Sequence, residues 1–337
     1  MPSASRTGPR VAVVATASGG PAPLARLLES LAAQSAPPAA VVVADRTAGP
    51  DAAAVVAEHA GRLPVRRIAS AGSVSAARND GLAELGLYDR SAHARPSGIR
   101  VLESILAAEA RGGGTATATL PETPDLLVFP DEGAWYAEDA FALAADAVAR
   151  GCDAVSGRLL DPAGTPVRPA AGPDRRPLDA RTVWTHAPGG ACFFTAGYLR
   201  AVGGFDENLG PGGRSPWHSG AGTDLLLRGL RRGATVVYDP RVRVHERPAA
   251  LDEAALRAEA RHAARGTGRV HRRHYGGYAC TRAIVRPLGT ALLAAARGRW
   301  SETARHLHEA VGRAEGVYDV LLPAPAPPGA AVTRPAR

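Results

Sequence analysis

The chain has 337 residues, 45% of them hydrophobic, which is enough for one large or two small cores. All 40 basic residues are arginine, a compositional bias that says little about function, and the net charge of +8 is unevenly spread. Residues 241–337 carry 17 Arg against 8 acids, or +9, which leaves residues 1–240 at −1. Three widely spaced cysteines, Cys152, Cys192 and Cys280, argue against a disulfide framework or zinc site and suit a reducing compartment. Residues 1–10 lack the apolar run of a secretory leader. No stretch reaches the ~18 apolar residues of a spanning helix, since Arg286 and Pro287 interrupt the longest candidate, 283–296. These features predict a cytoplasmic protein. Its basic last third could meet the inner membrane face or be an arginine-decorated helical surface.

In chain order, residues 11–15 read as a buried strand, followed by a Gly/Pro turn over 18–23. Leu24, Leu27, Leu28 and Leu31 then recur with helical spacing. A strand over 41–44 ends at Asp45, a helix covers 52–59, and a strand covers 65–68. Another helix over 75–85 and a strand over 126–129 complete the pattern. Strands alternating with helices predict an α/β protein with a mainly parallel sheet. In such sheets ligands bind beyond the carboxyl ends of the strands, so Asp45 and Asp131 can face one crevice. Either acid alone would also serve as a helix N-cap. Residues 86–123 interrupt the pattern as an insertion, with a helix expected over 98–110. From 251 the pattern is helical to 321, with Leu288, Leu292, Leu293 and Ala296 forming a stripe that packs on its own domain or else lies on a membrane surface or partner. Pro/Ala-rich tails at 1–10 and 322–337 read as disordered.

Four segments carry the chemistry: the first two strands with Asp45, VSAARNDGLA (74–83), LLVFPDEGAWY (126–136), and GGACFFTAGYLRAVGGFDENLG (189–210) with SGAGTDLLLRGLRRGATVVYDPRVRVHE (219–246). In this order they resemble family-2 glycosyltransferases of the GT-A fold, and the likeness runs through most of residues 11–320. The resemblance implies a nucleotide-sugar domain over 11–250, a mainly parallel central sheet flanked by helices, and a helical extension over 251–321. It also implies a nucleotide-diphosphate sugar as donor and a hydroxyl acceptor, whether small molecule, glycan or lipid-linked. Nucleic acid is not an expected partner, because no recognition motif accompanies the basic third.

By the same resemblance, Asp45 would contact the nucleobase and Arg78 the nucleotide, where a guanidinium suits phosphate. Asp131 begins the segment in the place of the family's metal-binding Asp-x-Asp, where a Mn2+ or Mg2+ ion neutralises the diphosphate. Glu132 and His245 are the other candidate ligands, since Gly133 stands where a second Asp is expected. Gly189, Gly190, Trp217 and His218 would form the loops around acceptor and donor sugar. The general base is expected from an acidic pair that here reads Ala221 and Gly222, leaving Asp224 as its substitute. Two readings follow: an inverting transferase using Asp224, or a catalytically degenerate binding or scaffolding subunit.

Overall fold

The computed structural model describes residues 9–47, 49–90, 123–131, 133–168, 171–247 and 251–323. Most of the insertion with its expected helix at 98–110, the outer parts of both tails, and Glu132 lie outside these residues. The described chain forms two compact units, divided between Ala250 and Leu251.

In the first unit, β1 (Val11–Ala17) and β2 (Ala40–Asp45) are buried along their whole length. Both are unbroken apolar runs rather than alternating ones because helices cover both faces of the sheet. Val11, Val13 and Ala15 join the leucine stripe of α1 (Pro21–Ala32) and Val55 of α2 (Pro50–His59) in one core. Each leucine of that stripe is 4% exposed or less, and burying one contributes about 1.5–3 kcal/mol. Pro21, read from sequence as part of a turn, instead starts α1, where its missing N–H would have no helical partner anyway.

The parallel run continues through β3 (Val65–Ala69), and α3 (Val74–Glu84) is capped by the Ser73 hydroxyl, which accepts from the Ala76 amide. β4 (Leu126–Val128) and β5 (Ala134–Tyr136) follow, then α4 (Ala140–Ala149), β6 (Ala154–Leu160) and the two-residue β7 (Arg176–Pro177). After α5 (Val183–His186) and a 3-10 turn (Gly189–Ala191) come β8 (Cys192–Thr195), α6 (Ala196–Val202), α7 (Ala221–Leu230) and β9 (Val236–Glu246). Sheet order is β3-β2-β1-β4-β8-β6-β9-β5, with β7 also on β9. β3, β2, β1 and β4 are parallel, as are β6 and β9, while β8 runs against its neighbours β4 and β6. This is the expected α/β architecture. The short β5 and β7, not separable from loops by sequence, exist because the eleven-residue β9 offers them a template.

The second unit consists, among the described residues, of α8 (Glu253–His274), α9 (Gly277–Ala296) and α10 (Trp300–Tyr318). α8 and α10 touch backbone to backbone: a Cβ on Gly316 would lie 2.0 Å from the Arg265 carbonyl oxygen. Glu315 is buried between Arg261 and Arg265 at 2.5 and 2.7 Å. Burial alone would raise its carboxyl, but the two guanidiniums and the Leu322 amide bring it down to about 2. Pro287 does not break α9. It is buried inside the helix, and the Ala283 carbonyl four residues back, which a proline cannot serve, accepts instead from Arg313 at 2.8 Å. No described helix is long and apolar enough to cross a membrane.

Candidate nucleotide-sugar site

The carboxyl ends of the parallel strands carry the first half of the site. Asp45 is the last residue of β2 and only 2% exposed. One oxygen accepts from the Thr47 amide (2.8 Å) and hydroxyl (2.7 Å), and the other from Arg67 on β3 (2.6 Å). Burial pushes its pKa up, but these donors outweigh burial and hold it below its ordinary value. Asp45 therefore has no free edge to offer a base; it fixes Thr47 and Arg67, which sequence reading did not single out.

Arg78 lies on α3, 6% exposed, with its guanidinium 5.3 Å over the Phe205 ring. One terminal nitrogen donates to Asp131 Oδ1 at 2.7 Å and to the Phe129 carbonyl at 3.4 Å. Its buried Nε has no hydrogen-bond partner among the described residues. Asn79 is fully buried and ties α3 to the turn beyond α6, donating to the Phe205 carbonyl and accepting from the Phe205 amide.

Asp131 stands three residues past β4 with its side chain 44% exposed. Its second oxygen faces Gly190, where an added Cβ would come within 2.8 Å and displace the carboxylate. The Gly190 carbonyl in turn accepts from the buried Tyr136 hydroxyl at 3.0 Å. Gly189 meets Gly222 at the start of α7: a Cβ on Gly222 would lie 3.3 Å from the Gly189 Cα. The glycine pair thus links Asp131 to the place where the acidic pair was expected.

The other candidates are deployed differently from expectation. Asp224 is the fourth residue of α7, completely buried, and held by Arg228 at 2.8 Å. Arg228 also donates to the Val202 and Gly204 carbonyls, so the pair ties α7 to the end of α6. A carboxylate enclosed in this way cannot reach an acceptor hydroxyl. Trp217 is 8% exposed and offers no open platform, while His218 beside it is half-buried.

His245 opposes Trp135 across the β5–β9 ladder and stacks on it at 5.4 Å, with Nδ1 3.2 Å from the Asp161 carbonyl oxygen. Arg26 covers the same indole at 5.2 Å. The next residue, Glu246, opposes Ala134 and shares the face of Tyr136 and Val244. That face leads to Gly190 and Asp131. Burial raises the Glu246 pKa, the Asp131 charge raises it further, and Arg168 opposes both. Glu246 is the residue sequence reading missed.

A metal of the Asp-x-Asp kind is poorly served by the described residues. Asp131 shares one oxygen with Arg78, and Gly133 supplies no ligand. A side chain at 133 would start 3.0 Å from the Arg247 carbonyl oxygen, a tight contact that the Arg247 backbone would have to ease. His245 is committed to the opposite face. Among the described residues no three metal-ligating side chains cluster.

The order of strands, the antiparallel β8 between two parallel sets, and the site at their carboxyl ends define a GT-A glycosyltransferase fold. Solved structures similar to this chain include S. aureus TarS 1–349, at 13% identity and TM-score 0.51, over 89% of this chain and 90% of that one. The same protein in complex with UDP-GlcNAc matches at 11% identity and TM-score 0.51, over 92% of both chains. The mannosyltransferase PcManGT from Pyrobaculum calidifontis, in complex with GDP-Man and Mn2+, matches at 15% and TM-score 0.54, over 93% of this chain and 88% of that one. The chain spans 55% of the longer TarS structure. At such identities the likeness is one of fold. No protein-family model and no curated protein sequence matches the chain.

Proposed function

We propose that this protein is an inverting glycosyltransferase, of the family-2 type its motifs resemble, that moves a sugar from a nucleotide-diphosphate sugar to a hydroxyl acceptor. The observation that carries the reading is the Arg78–Asp131 pair at the end of β4, with a buried Arg78 Nε left without a partner. A guanidinium held beside a half-exposed carboxylate suits a diphosphate, whose charge grows as the sugar leaves. Thr47 and Arg67, positioned by Asp45, face the nucleoside. Gly189 and Gly190 line the sugar.

For an inverting transfer the acceptor hydroxyl must lose its proton as it attacks the anomeric carbon, while the nucleoside diphosphate departs from the opposite side. Glu246 is the better-placed base, because it shares the face that leads to Asp131, whereas Asp224 is enclosed with Arg228. No step is assigned to a divalent cation, and Mn2+ is expected to change donor affinity little.

The second reading, a binding or scaffolding subunit, is favoured by one observation: Gly133 offers no side-chain ligand and no three metal-ligating side chains cluster among the described residues. Release of free sugar from UDP-, GDP- and dTDP-sugars, followed over hours by chromatography, separates the two. The transferase reading expects slow hydrolysis of one donor, abolished in Glu246→Gln. Donor binding without hydrolysis, or hydrolysis indifferent to Glu246, contradicts the catalytic assignment.

A further inference from the structure

α9 is assembled inside out. Its face toward the rest of the helical unit is built from small residues, Cys280, Ala283, Pro287, Ala291 and Ala294. Its large apolar side chains point the other way: Tyr278 is 84% exposed, Val285 53%, Leu292 71% and Leu293 57%, and Trp300 at the start of α10 is 71% exposed. The leucine stripe therefore does not pack on its own domain. At 100° per residue, Tyr278, Val285, Leu292 and Ala296 fall within one narrow arc, with Leu293 at its edge. An amphipathic helix folded only for its own unit would turn Leu inward and Ala outward; contiguous apolar surface of this kind marks an interaction site.

Charge identifies what the face meets. Residues 260–301 contain nine arginines and no acidic residue. Arg261, Arg265 and Arg269 are bound to Glu315 and Asp319 across the α8–α10 interface, and Arg299 to Glu302. Arg282 is exposed on the arc between Ala296 and Leu293, Arg286 is exposed just beyond Leu293, and Arg297 is exposed at the end of α9. An exposed apolar stripe edged by arginine, with a Tyr and a Trp near its two ends and no acid on the helix, matches the interfacial region of an anionic bilayer. A second protein chain would be expected to find carboxylate partners here, and α9 presents none.

We propose that α9, with Trp300, is a monotopic docking surface for anionic lipid. The helix lies in the plane of the headgroups with Leu292, Leu293 and Trp300 inserted, and Arg282 and Arg286 contact lipid phosphates. This surface does not depend on the transferase reading, and it stands if no donor is ever turned over.

The test is co-sedimentation of the full chain with vesicles of equal parts phosphatidylcholine and phosphatidylglycerol, against vesicles of phosphatidylcholine alone. The expected result is capture by the anionic vesicles that weakens as salt rises. The variant Leu292→Ser/Leu293→Ser/Trp300→Ser alters only exposed positions, so it is expected to keep the native circular dichroism spectrum and lose capture. Arg282→Gln/Arg286→Gln should weaken capture by about fivefold per arginine. Absence of capture by the native chain overturns the proposal, as does unchanged capture of the serine variant. Light scattering that shows a dimer, broken by the serine variant, without vesicle binding would also overturn it and assign the face to self-association.

Discussion

The two sides of the crevice are built on different terms. On the β1–β4 side the charged groups are paired and accessible at one edge: Asp45 fixes Arg67, and Arg78 fixes Asp131 while keeping a buried donor unused. On the α7–β9 side Gly222 packs against the Gly189 backbone and Gly133 faces the Arg247 carbonyl, while Asp224 is sealed inside. A fold can preserve a ligand site while its catalytic equipment is rebuilt or lost, because the two halves rest on separate elements. Glu246, at the end of β9, is the acid on that side that shares the Tyr136 face.

The comparison is broken most directly by Glu246→Gln. Removal of a general base should lower turnover about 10²–10⁴-fold with donor affinity unchanged, as read by steady-state kinetics beside binding. Asp224→Asn should do the reverse, with little effect on the rate per folded molecule. Breaking its buried pair should cost about 3 kcal/mol of stability in denaturant melts, near the low end for such pairs because Arg228 keeps two carbonyl partners. A rate loss without a stability loss in Asp224→Asn would return the base to α7.

On the nucleotide side, Arg78→Ala should weaken donor binding by about 30–100-fold, the usual cost of removing one member of a desolvated charged pair. Gly133→Asp, which restores the family's second acid in sequence, should not create Mn2+ dependence. It should cost about 1–3 kcal/mol, since its Cβ meets the Arg247 backbone. The smallest effect concerns pH. The Asp45 carboxyl lies below its ordinary 3.8, so its stabilising contribution is complete above that value and is lost only as pH falls through the lower folded value. The β2–β3 edge should therefore hold its Asp45–Arg67 contact throughout the mildly acidic range, as followed by NMR titration.

Much of the architecture was legible because its signals are local. The buried run at Val11 to Ala15, the leucines of α1 and the alternation up to residue 85 follow from periodicity alone. Arg78, Asp131 and Gly190, read from separate segments, do meet in space. What was hidden depends on partners distant in sequence. Pro287 continues its helix because Arg313 takes over the freed carbonyl. Whether His245 or Glu246 faces the crevice is fixed by the pleat of β9 against β6, whose register shifts between Ser156 and Arg158, and a one-residue change there exchanges the two side chains. Asp224 looks like a site residue in sequence because its partner Arg228, one helical turn on, also reads as surface charge.

The central claim is that the crevice holds a nucleotide-diphosphate sugar on Arg78. Isothermal titration of the native chain and Arg78→Ala with UDP-, GDP- and dTDP-sugars, each with and without Mn2+, tests it most directly. The account predicts one-to-one binding of at least one donor, nearly the same with the ion absent, and strongly weakened in Arg78→Ala. Failure of all donors to bind, or binding that Arg78→Ala leaves intact, would contradict it.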